Sequence, residues 1–125
     1  MTPWYVAFLA AHGLVHLAVW LPPAPVPTSD RPNPPFDPGH SWLQAGAWRD
    51  ADHARVVARR MAVASAALYV AAASSGLIGA NTAAGMTAAA ATCALALKLA
   101  YFNRWLTVGI AIDVVVLLTA IVGGP

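Results

Sequence analysis

The sequence predicts an all-α protein in which four transmembrane helices form an up-down bundle. Three observations lead to this prediction. Only 10% of the 125 residues are charged and the mean hydropathy is +0.63, whereas an average soluble domain has about 25% charged residues. Four stretches are long and apolar enough to span a bilayer, which takes about 20 residues. The last three stretches are separated by short links, which force neighbouring helices to run antiparallel.

The composition also excludes several classes of protein. So few charges cannot cover the surface of a soluble domain, and a chain this apolar is not a disordered one. The net charge of +2 is scattered along the chain, so we expect no nucleic-acid partner. The length predicts a single domain over residues 1–125, and the single cysteine excludes an intrachain disulfide.

The four spans are expected over residues 3–21, 60–78, 83–102 and 105–122. Pro3 is acceptable in the opening turn of the first span. One alternative makes residues 1–24 a cleaved signal peptide, although no basic segment precedes the apolar run. The second helix is expected to begin before its span, capped by Asp50 or Asp52, with Arg55, Arg59 and Arg60 in polar first turns outside the hydrocarbon. Small residues in the second and third spans favour a compact bundle or a dimer face.

The long connection over residues 22–52 differs from the other two. Eight of the ten prolines lie between Pro22 and Pro38, which favours an extended or polyproline-like chain. Trp42 and Trp48 suit the membrane interface, so we expect a short interfacial helix or a packed loop over residues 40–48.

The distribution of Lys and Arg predicts the orientation in the plasma membrane. The long loop and the first turns after it hold five arginines, whereas the second connection and both termini hold neither Lys nor Arg. Positive residues favour the cytoplasmic side. We therefore expect a multi-pass protein with a cytoplasmic long loop and both termini outside.

Four ionisable residues are expected within the spans, where a charge costs about 2.5–3.5 kcal/mol on insertion scales. They are His12, His16, Lys98 and Asp113, and Tyr69 and Cys93 add weaker polarity. The rise of an α-helix places the four ionisable groups in the half of the bundle nearest the long loop. We therefore expect a ligand or proton site there, with Tyr69 as a further member.

Each of these residues has alternative roles. His12 and His16 share one helix face, so they fit a metal site, a proton relay or a hydrogen-bonded pair that joins spans one and four. Asp113, and less readily Cys93, would be a further metal ligand. Lys98 either extends to the interface or pairs with Asp113 or a ligand. Asp113 cannot reach the interface, so it must be protonated or paired, and we expect it to matter most.

Haem b usually needs axial ligands from two helices, and the other spans hold no histidine. We therefore expect no cofactor. In the loop, Asp37, His40 and Trp42 are expected near the mouth of the same half of the bundle. They form either a turn set by Asp37 and the next two residues or a lid over an intramembrane pocket. A catalytic triad is disfavoured because near-adjacent residues rarely converge with catalytic geometry.

Three short motifs carry a resemblance to a known group of proteins. They are His12-Gly13-Leu14-Val15-His16-Leu17, the loop segment from Pro35 to Leu43 that contains Asp37-Pro38-Gly39-His40, and Gly109-Ile110-Ala111-Ile112-Asp113. With these motifs the chain resembles a group of small four-helix bacterial membrane proteins that is common in actinobacteria. The resemblance implies a four-helix integral membrane protein and brings no activity with it.

The sequence leaves three possible functions open. The first is a binding or accessory protein whose polar pocket takes a lipid-like or small ligand, or which docks into a larger membrane complex. The second is a membrane-embedded enzyme, redox or metal-binding protein that uses His12, His16 and Asp113. The third is a proton-coupled transporter subunit that works as a homo-oligomer. The expected partners are the lipid bilayer and either further copies of the chain or a membrane complex.

Overall fold

The structure is a computed structural model, and it describes residues 1–22, 37–42 and 50–123. Those residues form four α-helices, which are α1 (Pro3–Trp20), α2 (Ala51–Leu77), α3 (Ala83–Ala100) and α4 (Thr107–Val122). A 3-10 turn, Arg104–Leu106, leads directly into α4. With that turn added to α4, each of the four is long and apolar enough to cross a membrane. The predicted all-helical fold with four span-like helices is therefore confirmed.

Side chains that cap backbone amides set the beginnings of the helices. The Thr2 hydroxyl accepts a hydrogen bond from the Tyr5 amide at 3.4 Å, and Pro3 occupies the first turn of α1. Asp50 caps α2 by accepting a hydrogen bond from the Asp52 amide at 2.9 Å. The prediction that this helix begins before its apolar span is thus correct, and Asp50 rather than Asp52 is the cap.

Two glycines stand where the chain leaves a helix. Gly79 follows α2 with a φ of 67°, and Gly123 follows α4 with a φ of 79°. These positive angles belong to the left-handed region that L side chains rarely adopt. Gly79 therefore allows the tight connection between α2 and α3.

Close packing joins α1 to α2, α2 to α3 and α3 to α4. At one end of α2, Gly76 lies beside Met1 and Val6. At the other end, Ala54 and Ala58 share a core cluster with Trp20, the last residue of α1. Among the described residues, α1 and α4 make few close backbone contacts, so a groove runs between them.

Among the described residues, two apolar clusters form the core, and half of their members are alanine. One contains Val6, Leu9, Tyr69, Ala72, Ala73, Ala90, Ala91, Ala94 and Val116; the other contains Trp20, Ala54, Ala58, Ala62, Leu97, Tyr101 and Leu106. Alanine brings helix backbones close together, as is common in membrane bundles. Along the chain, His12, His16 and Asp113 lie between members of the two clusters, and Lys98 directly follows Leu97 of the second cluster.

The described part of the long loop is short. Pro38–His40 forms a 3-10 turn, and the Asp37 carboxylate caps it by accepting a hydrogen bond from the Gly39 amide at 2.9 Å. The turn expected from Asp37 and the two residues after it is therefore present. Residues 43–48 of the interfacial helix expected over residues 40–48, and the side chain of His40, lie outside the described part of the structure.

Candidate functional site

Asp113 is the centre of a buried polar cluster in which three helices contribute to the binding of one carboxylate. Its side chain is 0% exposed. His12 of α1 lies 2.7 Å from Oδ1 through its Nε2 atom, and the Tyr69 hydroxyl of α2 donates to the same oxygen at 2.8 Å. Lys98 of α3 forms an ion pair with Oδ2. The fourth helix is thereby tied to each of the other three.

Lys98 does not extend to the interface. Its side chain is buried, and its ammonium group binds Asp113 and lies 3.0 Å from Nε2 of His16. Of the two roles considered from the sequence, the structure shows pairing with Asp113. The physical reason is that Asp113 cannot leave the span, and a buried carboxylate without a cation is far more costly than a lysine withheld from water.

Two hydrogen bonds fix the tautomer of His16. Its Nδ1 lies 3.0 Å from the backbone carbonyl oxygen of His12, which can only accept, so Nδ1 carries the hydrogen. Its Nε2 faces the Lys98 ammonium, which can only donate, so Nε2 is the acceptor. His16 is therefore a neutral imidazole in the Nδ1–H form, and it does not contact Asp113 directly.

Aromatic rings pack against this cluster on the side that faces the beginning of α1. The ring of Phe8 stacks on His12 with their centroids 5.6 Å apart, and Tyr5 stacks on Phe8 at 6.2 Å. His12 meets Tyr69 edge-on at 5.0 Å. These contacts hold the His12 imidazole in one orientation toward Asp113.

Within the described part of the chain, two cavities lie in the groove between α1 and α4. The polar cavity has a volume of about 290 Å³, and His12, His16, Lys98 and Trp105 are among its lining residues. The apolar cavity has a volume of about 510 Å³, and its lining includes Tyr5, Phe8, Ala111, Val115 and Thr119. Val108 and Ile112 line both cavities. The groove therefore offers a polar site next to an apolar one along the same pair of helices.

His12, His16 and Asp113 also satisfy the first requirement of a metal site. One ligand atom from each lies within 4.8 Å of the others. However, the Lys98 ammonium already contacts both Asp113 and His16, so a divalent cation would have to displace it. Cys93, the weaker ligand expected from the sequence, lies outside this group and accepts a hydrogen bond from the Ser65 hydroxyl at 3.3 Å.

The loop residues Asp37 and Trp42 contact the helix ends. Arg55 of α2 binds Asp37 through two hydrogen bonds, of 2.9 Å from Nε and 2.7 Å from Nη2. The Trp42 indole donates to the carbonyl oxygen of Leu99 at 2.9 Å. These contacts bring residues 37–42 against α2 and α3, next to the end of α3 that carries Lys98. The lid over the pocket stays a prediction.

Sequence reasoning missed three residues that shape these sites. Gly13 lies so close to α2 that a Cβ atom there would stand 2.7 Å from Cβ of Tyr69. Gly109 leaves room on α4 for the side chain of Lys98. Arg55 was expected only to make the first turns of α2 polar. For the glycines the sequence held a signal, because each lies in a short motif with an ionisable residue. Gly13 directly follows His12, and Gly109 precedes Asp113 by four residues.

Comparisons of this chain with protein-family models, with curated proteins and with solved structures found no match.

Proposed function

We propose that this chain is a small multi-pass membrane protein that binds a lipid-like ligand in the groove between α1 and α4. In this proposal the four helices cross the plasma membrane of a bacterium as an up-down bundle. The contacts at the two ends of α1 with opposite ends of α2 support the antiparallel order. The surplus of arginines in and after the long loop supports a cytoplasmic loop and external termini.

One observation carries the ligand-binding proposal: buried polar side chains line a cavity that shares the lining residues Val108 and Ile112 with an apolar cavity. Lys98 is only 5% exposed, yet it lines the polar cavity together with His12 and His16. The surface that lines the neighbouring cavity is almost entirely apolar. Binding sites typically combine an apolar lining with a few polar groups that orient the ligand. A lipid-like molecule has the same division into a polar head and an apolar chain.

Native mass spectrometry of the protein released from nanodiscs tests this proposal. Val108 lines both cavities and is exposed, so Val108→Trp should fill the groove and abolish retention of a bound amphiphile. Leu118→Trp is the matched control, because Leu118 is exposed on the same helix but is not part of either cavity lining. Equal retention by the two variants would overturn the groove as the binding site.

A second function, proton coupling within a homo-oligomeric transporter, has a specific observation in its favour. A continuous chain of polar contacts runs from His16 through Lys98 and Asp113 to His12 and Tyr69. Such chains of ionisable groups inside a bundle are typical of proton relays. Proton flux into vesicles that is lost in Asp113→Asn would support this function, and a strictly monomeric, proton-tight protein would exclude it.

A further inference from the structure

We propose that the polar cavity selects an uncharged hydrogen-bonding head group, such as a hydroxyl, on a single-chain amphiphile, and rejects carboxylate and ammonium heads. This inference rests on the proposed function, because it takes the groove between α1 and α4 as the binding site. It adds the chemical class of the head group, which follows from the charges and unused hydrogen bonds of the cluster.

The charges of the cluster balance when both imidazoles are neutral. Lys98 carries one positive charge and Asp113 one negative charge, and the two form a direct ion pair. The hydrogen bonds of His16 require its neutral form. With His12 neutral as well, the cluster has no net charge, so a charged ligand head would enter the apolar groove without a counter-ion. Such a charge inside the membrane is strongly disfavoured.

The cluster nevertheless has hydrogen-bonding capacity to spare. An ammonium group has three N–H donors, and Lys98 uses two of them, on Asp113 and on His16. The third has no protein partner among residues 1–22, 37–42 and 50–123. When His12 donates from Nε2 to Asp113, its Nδ1 is left as an acceptor. A hydroxyl group can accept from the first and donate to the second.

The two cavities also fix how such a molecule lies in the groove. Lys98 and His12 line the polar cavity, and Val108 and Ile112 line both this cavity and the apolar one. A head group at Lys98 therefore directs its chain along α4 toward Thr119. At that end, a hydrogen bond of 2.9 Å between the hydroxyls of Tyr5 and Thr119 joins α1 to α4. Because the two hydroxyls bind each other, the alkyl chain of the ligand lies in apolar surroundings.

A competition experiment with matched chains tests the selection. The protein in nanodiscs is equilibrated with equal amounts of hexadecanol, hexadecanoate and hexadecylamine, and retained molecules are counted by native mass spectrometry. We expect hexadecanol to be retained at least about tenfold over the other two, since burying an unpaired charge lowers the affinity by more than about tenfold. Equal or stronger retention of hexadecanoate or hexadecylamine would overturn the inference and leave the groove proposal standing.

Retention of none of the three would overturn the groove proposal itself, which keeps the two failures distinct. Charge-changing variants give a second readout from the same mixture. Lys98→Met leaves the Asp113 carboxylate without its cation, so preference should move to hexadecylamine. Asp113→Asn leaves the Lys98 ammonium without its anion, so preference should move to hexadecanoate. A preference for hexadecanol that is unchanged in both variants would contradict selection by charge balance.

Discussion

Gly109 of α4 lies directly against the side chain of Lys98 of α3. A Cβ atom at position 109 would stand 3.0 Å from Cε of Lys98 and 3.5 Å from its Nζ. Asp113 follows Gly109 by one helical turn, so both residues share one face of α4. Because Gly109 has no side chain, the methylene chain of Lys98 has the space that it needs to reach the Asp113 carboxylate.

We predict that Gly109→Ala destabilises the protein by about 1–3 kcal/mol, as is usual for an added methyl in a filled space. The added methyl group would push Lys98 away from its ion pair with Asp113. Thermal unfolding in detergent measures the effect. Gly85→Ala is the matched control, because nothing lies within 4 Å of a Cβ at that helical position, and alanine favours helix by up to about 1 kcal/mol. Equal unfolding temperatures for the two variants would contradict the prediction.

Gly13→Ala should be more harmful than Gly109→Ala. The new methyl group would stand 2.7 Å from Cβ of Tyr69 and 3.2 Å from the carbonyl oxygen of Ala66. Neither atom lies at the end of a flexible side chain, so α1 and α2 must move apart, and His12 moves with α1. We expect a loss of unfolding free energy at or above about 3 kcal/mol. If Gly13→Ala unfolded at a higher temperature than Gly109→Ala, this ranking would be contradicted.

Asp113→Asn should disturb stability more than any Asp→Asn change in the loop or its flanking turn. The amide cannot neutralise Lys98, and an unpaired buried charge typically costs about 3–5 kcal/mol. Asp52→Asn is the control, because the Asp52 side chain is 87% exposed and pairs with Arg55 at the surface, where such a pair contributes about 1 kcal/mol or less. Chemical or thermal unfolding measures the loss of stability in both variants. Similar losses would count against the buried cluster.

Lys98→Ala should create a zinc site. Removal of the ammonium group leaves His12, His16 and Asp113 with ligand atoms within 4.8 Å of one another, and two imidazoles with a carboxylate are a common zinc-binding set. We expect zinc to raise the unfolding temperature of this variant and to leave that of the unchanged protein as it was. The double variant Lys98→Ala/His12→Ala should lose the response. An equal zinc response in the unchanged protein would mean that Lys98 does not block the site.

The proposed orientation predicts the labelling of two introduced cysteines. Asn81 and Arg104 are exposed, the first in the α2–α3 connection and the second in the α3–α4 connection. In a Cys93→Ser background, a membrane-impermeant maleimide on intact cells should label Asn81→Cys and spare Arg104→Cys until the membrane is opened. The reverse pattern would place the long loop outside.

The hydropathy of the sequence predicts the four helices, because each span is a long apolar run and the capping residues are local signals. The presence of the polar cluster is also predictable, because Asp113 has no means of reaching water and helix rise gives its depth. What the sequence left open is the choice of partner. Lys98 had two alternative roles, and Tyr69 entered as a weakly polar further member of the site without an assigned partner.

The remaining features depend on distances between helices, which no single stretch of sequence contains. Gly13 and Gly109 have small side chains in spans that are rich in small residues, so composition alone does not distinguish a close approach from an ordinary position. Arg55 and Asp37 are 18 residues apart, with the chain between them rich in turn-forming and polar residues. Their pairing requires knowing how the loop returns to α2.

Under the proposed membrane location, the arrangement of Asp113 with its partners also bears on how the chain is inserted during synthesis. Its partners His12, Tyr69 and Lys98 all come earlier in the sequence, so they have left the ribosome before the carboxylate does. Lys98 precedes it by only 15 residues, and α3 and α4 can therefore leave the translocon as one hairpin with its charges already matched. A chain with the order of its helices reversed would present the carboxylate to lipid first.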